Sequence, residues 1–102
     1  MTTVNPRTFE GHPLVLKTAA DGDFSVLCVG HLVGRILRSD MAGGAESWLW
    51  TVTGPYLPEA LRPSDGRAGS LEEAKVTFRG KFDAWLAWAL EEKEPAVWHG
   101  AG

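Results

Sequence analysis

Residues 70 to 95 read SLEEAKVTFRGKFDAWLAWALEEKEP, and no other stretch limits the fold of this chain as much. Ser70 followed three residues later by Glu73 is the signature of a reciprocal N-terminal cap. Glu72 and Glu73 place negative charge where the helix dipole favours it, and Pro95 cannot continue a helix. At about 100° per residue, Leu71, Ala74, Phe78, Phe82, Trp85, Leu86 and Ala89 fall on one stripe. The spacing therefore predicts an amphipathic helix over 70–93. Gly80 lies opposite the stripe, and Trp88 flanks it as a half-covered residue. A helix with one oily face needs a second layer to bury it, and the rest of the chain must supply that layer.

The rest reads as strands. PLVLKT (13–18) and FSVLCV (24–29) flank an Asp-Gly step at 21–22, a strong hairpin signal. FSVLCV then runs through Gly30 into HLVGRILRS (31–39), which reads as one long strand kinked or bulged at that glycine. After the glycine-rich loop 40–45, ESWLWTVTG (46–54) is dense in aromatic and β-branched residues. Residues 55–69 contain three prolines and two glycines and read as a long loop, with one helical turn at 58–61. Residues 1–12 read as an irregular arm. The tail 94–102 reads as frayed, with Trp98 either pinning it or exposed.

Folding 31–39 back on 46–54 yields a pairing in which Leu37 faces Trp48, Arg35 faces Trp50 and Val33 faces Val52. Arg35, Trp48 and Trp50 then share one face, and Leu32, Gly34, Ile36, Leu49, Thr51 and Thr53 share the other. A helix bearing Phe78, Phe82 and Trp85 fits the smaller face, where Gly34 makes room. The aromatic face is then open, with Arg35 over an indole. The opposite reading buries both indoles beneath the helix and leaves Arg35 reaching out at the edge.

With 102 residues and a net charge of −3, the chain reads as one domain with no general affinity for polyanions. Its single cysteine, Cys28, excludes an intrachain disulfide and a thiolate zinc cluster. No basic start followed by an apolar run marks a signal peptide, and no window reaches the ~18 apolar residues of a membrane span. A cytoplasmic location with no membrane contact is the expectation.

Chemistry-bearing residues are present without the company catalysis needs. Cys28 and His31 offer two ligands at most, point to different faces if the strand runs through Gly30, and have no orienting third group. His12 and His99 lie near the ends. Asp21/Asp23, Glu72/Glu73 and Glu91/Glu92/Glu94 read as turn, helix-start and solvated residues, none set in apolar surroundings that would raise a pKa. DGRAGS ends at a helix start, but the Ser70–Glu73 cap already uses those donors. Arg35 and Arg38 alternate across a strand and form no basic stripe.

The series VGRILRS … SWLWTVTG … GRAGSLEEAKVTFRGKFDAWLAW resembles a group of short, mostly alphaproteobacterial proteins, with the similarity covering about residues 24–90. That resemblance implies no activity and carries over no catalytic residues. The order of strands and an E-E-A helix opening also looks like the plant ethylene-response-factor type DNA-binding domain. That likeness implies Arg35, Trp48 and Trp50 as the reading positions, on the sheet face away from the helix. The chain lacks that domain's arginine-rich first strand and is acidic.

The expectation is an α+β domain, with a three- to four-stranded antiparallel sheet packed on one face by a long C-terminal helix. The expected function is that of a small non-enzymatic interaction or self-associating module, with no cofactor and no metal. Its candidate surface is Arg35, Trp48, Trp50 and Tyr56, or the 55–69 loop. The expected partner is a protein or a second copy, with nucleic acid as the runner-up and an enzyme of unrecognised type third.

Overall fold

The computed structural model describes residues 2–92 and 96–98. The architecture is α+β: one antiparallel sheet with one long helix across it. The strands are β1 (Thr2–Val4), β2 (Val15–Ala20), β3 (Asp23–Cys28), β4 (His31–Arg38), β5 (Trp48–Val52), β6 (Asp65–Ala68) and β7 (Ala96–Trp98). The helix α1 spans Leu71–Glu91. The main sheet has the order β2-β3-β4-β5-β6, and β1 pairs with β7 in a separate ladder. Five strands thus stand where three or four were expected.

Two causes account for the difference. The segment through Gly30 is not one bulged strand but two, joined by a tight turn at Val29 (φ 50°) and Gly30 (φ 79°). Positive φ at both central residues is the two-residue hairpin geometry that suits the right-handed strand twist. The bulge lies instead at Val33, since Val26 pairs with Gly34 but Leu27 with Leu32. The Val33 carbonyl accepts the N–H groups of both Thr53 (2.9 Å) and Gly54 (2.8 Å). The second cause is β6, which lies inside the expected 55–69 loop and pairs with β5. The helical turn there is a single 3₁₀ turn at Glu59–Leu61.

The β4–β5 register is one residue away from the expected one. Arg38 faces Trp48, Ile36 faces Trp50, Arg35 faces Thr51 and Gly34 faces Val52. The ladder continues through Ser39–Ser47 and Met41–Ala45 bonds of 2.8 and 3.0 Å. The connection therefore closes over three residues centred on Gly43, where the expected pairing required an even count. A one-residue slip exchanges faces. Trp48 and Trp50 consequently share a face with Gly34 and Ile36, while Arg35 lies on the other side.

The helix follows the sequence closely. Ser70 Oγ accepts the Glu73 N–H (3.1 Å), and Glu73 Oε2 reaches back to the Gly69 N–H (3.1 Å). Ala74, Phe78, Phe82, Trp85 and Ala89 are buried, with Leu71 and Leu86 packed beside them. The helix ends at Glu91 with Glu92 as its cap; Lys93 and Pro95 lie outside the described residues. Gly34 makes room as expected, because a Cβ there would stand 2.6 Å from the Phe78 ring.

Gly80 has nothing within 4 Å of a built Cβ. Gly80→Ala is expected to raise stability by about 0.5–1 kcal/mol, the backbone-entropy difference between the two residues in a helix. A urea midpoint that fell instead would mean the outward side of α1 tolerates no added methyl.

The described residues near both ends pack in regular structure. The expected irregular arm holds β1 and a 3₁₀ turn at Pro6–Phe9. Trp98 is buried and stacks on Phe9 (centroids 5.3 Å, 22°), edge-on to Trp85 at 5.8 Å. Phe9 in turn meets Phe82 at 5.8 Å. Trp98 is therefore buried rather than exposed, and residues 94, 95 and 99–102 of the expected tail lie outside the described residues.

Candidate functional site

The four residues expected to form one surface do not. Trp48 is 6% exposed and Trp50 is 5% exposed, both on the helix side of the sheet. Trp48 donates its Nε1–H to Glu46 (2.8 Å) and stacks near Phe24 at 6.2 Å. The cation over its ring is Arg38 at 5.8 Å rather than Arg35. Trp50 is covered closely on the β6 side, where a Cβ on Gly66 would stand 2.8 Å from the indole. The exposed-tryptophan surface is thus overturned: the two indoles lie beneath the helix, and Arg35 lies on the other face. Tyr56 is exposed and sits with Pro55, Leu57, Arg62 and Pro63 around a shallow depression of about 490 Å³.

Arg35 lies on the sheet face away from the helix. Its guanidinium grips Asp23 with two bonds, Nε at 2.7 Å and NH2 at 2.5 Å. That bond holds the Asp23 carboxyl below the usual carboxylate range, against the opposing effect of burial. A depressed folded-state pKa contributes stability above the unfolded value, near 4, and loses it as pH falls through the folded value. Asp23→Asn is therefore expected to be less stable than the native chain at pH 7, with the gap closing as pH falls below about 4. Urea midpoints at pH 7, 4, 3 and 2 check this. A gap independent of pH would assign the loss to packing.

The same outer face carries Lys17, Ser25, Arg35, Thr51 and Asp65 along one row across the strands. Val15 and Leu32 are exposed beside it at 53% and 44%. Alternating polar and apolar residues with charges of both signs describe the solvated face usual for an antiparallel sheet.

Cys28 and His31 are direct partners across the Val29–Gly30 turn and so share a face, contrary to the reading through a continuous strand. Cys28 is buried, and desolvation raises its thiol pKa while the Arg79 charge lowers it in part. The His31 ring packs edge-on against Phe9 (5.5 Å) and Trp98 (6.1 Å). Among the described residues no three His, Cys, Asp or Glu side chains gather where they could hold a metal. No helix there is long and apolar enough to cross a membrane.

The feature with the least ordinary explanation lies on the helix side. Five strands at ~4.8 Å spacing span about 19 Å, whereas a helix with its side chains is about 10–12 Å across. The helix α1 packs on β5 and reaches β4 and β6. Beside α1, over β2 and Phe24, lies a groove of about 510 Å³. Leu14, Leu16, Phe24, Val26 and Ile36 form its floor, and Leu71, Lys75, Phe78 and Arg79 of α1 form one wall. The free edge of β2 bounds the other side. Leu14, Leu16, Phe24 and Leu71 are only partly buried. Sequence reasoning missed this groove, although one signal existed: PLVLKT has apolar residues on both sides of a strand, too many for a face left in water.

No family model, no curated protein and no solved structure matches this chain.

Proposed function

We propose that this chain is a small, non-enzymatic interaction module that holds another polypeptide in the groove between its first hairpin and the first half of α1. The observation that carries this reading is the partly exposed apolar strip of Leu14, Leu16, Phe24 and Leu71 beside the cations of α1. Concave apolar surface with a few convergent polar groups is the usual form of a binding site. The residue types favour recognition over chemistry. The groove is lined by aliphatic and aromatic side chains, and its two ionisable groups, Lys75 and Arg79, are both cationic. The outer face, with acidic and basic side chains interspersed, offers a polyanion no continuous positive stripe.

Site-specific photo-crosslinking in extracts of the source cells tests the reading. A benzophenone side chain at Leu16, in the groove, is expected to yield a discrete covalent adduct with a polypeptide. The same group at Ser25 or Thr51, on the outer face, is expected to yield none. Adducts confined to the outer face, or to Tyr56 in the 55–69 segment, would move the function to those surfaces.

A further inference from the structure

The groove also has a shape and a charge pattern that select its occupant. Val26, Cys28 and Ile36 are already buried, so the open part of the inner face is the strip over β2 and Phe24 beside α1. That strip runs along the α1 wall, and helices packed in one layer lie 8–10 Å apart. Lys75 and Arg79 are four residues apart, so they stand one turn from each other on that wall. Their carboxylate partners are local: Glu72 Oε1 lies 3.0 Å from Lys75 Nζ, and Asp83 Oδ2 lies 3.2 Å from Arg79 Nε. Exposed pairs of this kind within one helix are weak and readily exchanged. The wall thus offers two cations at the border of an apolar floor.

We propose that the groove takes an amphipathic helix of a partner polypeptide. Its apolar stripe lies on Leu14, Leu16 and Phe24, and carboxylates one turn apart on its flank face Lys75 and Arg79. The proposal rests on the reading of the groove as the interaction site and adds the partner's form and charge. A helix in this position covers the strip over β2 and Phe24 that α1 leaves partly open. It follows the general mode in which an amphipathic helix lays its oily face into a groove. The charged border sets orientation and partner choice, and the floor supplies the affinity.

The test uses three synthetic 18-residue helical peptides and the full chain. The first has leucines on one face flanked by glutamates at i and i+4. The second replaces those glutamates with lysines. The third keeps the glutamates and carries a central proline. Fluorescence anisotropy measures affinity, and amide-resolved NMR locates the site. The glutamate peptide is expected to bind, with shifts at Leu14, Leu16, Phe24, Lys75 and Arg79. The lysine peptide is expected to bind about tenfold more weakly or worse, since like charges then face each other along the groove wall. The proline peptide is expected not to bind.

The decisive variant is the double reversal Lys75→Glu, Arg79→Glu, at exposed positions that leave the core intact. It is expected to exchange the preference, so that the lysine peptide becomes the tighter. Equal affinity for the two peptides, retained binding by the proline peptide, or an unchanged preference in the double variant would each overturn the proposal. So would concentration-dependent shifts in the groove without peptide, which would make the occupant a second copy. If Leu16 still crosslinks while the peptides behave in any of those ways, the groove remains the interaction site and only the helical, acidic partner is lost.

Discussion

Gly34→Ala is expected to be the most damaging single methyl that can be added to this protein. A Cβ at Gly34 would collide with the Thr51 carbonyl oxygen, and it would stand 2.6 and 2.7 Å from two atoms of the Phe78 ring. The ring belongs to a side chain with rotamer choices, but the carbonyl is part of the β5 backbone. Relief therefore requires β4 and β5 to separate locally, which disturbs the ladder carrying Trp48 and Trp50. Overpacking a well-filled core costs about 1–3 kcal/mol and more where backbone must move. We expect about 3 kcal/mol or more, a large part of the 5–15 kcal/mol that a domain of this size holds. Urea unfolding measures it. The double variant Gly34→Ala, Phe78→Ala should recover little, because the carbonyl clash persists and a cavity is added. A loss under about 0.5 kcal/mol would show that the sheet and helix are not pressed together at this point.

The second large effect is expected at Trp98. It is 1% exposed, stacked on Phe9 and edge-on to Trp85, and a Cβ on Gly54 would run into its ring. Trp98→Ala removes the largest side chain linking the end of the chain to the core. Truncations of buried tryptophan cost about 3–5 kcal/mol, and the β1–β7 ladder should loosen with it. Trp88, 39% exposed on the flank of α1, supplies the control. Trp88→Ala is expected to stay within about 0.5 kcal/mol of the native chain. Comparable losses in both variants would mean that the Trp98 cluster is no better packed than the surface.

The contrast between these positions also explains which parts of the molecule were legible in the sequence. The helix was, because its cap, stripe and exposed Gly80 are local: each depends on residues within a few positions of one another. The Asp21–Gly22 turn and the fit of Phe78 against Gly34 were legible for similar reasons of size and conformation. The Val29–Gly30 turn was not, since valine at positive φ carries no turn signal. The strand β6 was hidden because Asp-Gly-Arg-Ala has poor strand propensity; it pairs where Gly66 lets Trp50 lie close. The register of β4 on β5 turned on whether the 39–47 connection held an odd or an even number of residues. One residue decided whether the indoles met the helix or water. As for the candidate site, Arg35 and Tyr56 were placed at the surface, but the groove depends on where α1 rests across five strands. No local pattern encodes that position.

The β1–β7 ladder has a kinetic consequence. Thr2 pairs with Trp98, a separation in sequence of 96 residues (98 − 2). A contact that closes nearly the whole chain into a ring carries the greatest loop-closure entropy and forms only after the sheet and helix have drawn the ends together. Its energy is then absent from the transition state, and losing it speeds unfolding while leaving the folding rate almost unchanged. In stopped-flow measurements Trp98→Ala should steepen the fall in native lifetime and leave the refolding arm where it was. The clasp acts as a latch on a door already closed: it decides how long the native state lasts rather than how quickly it is reached.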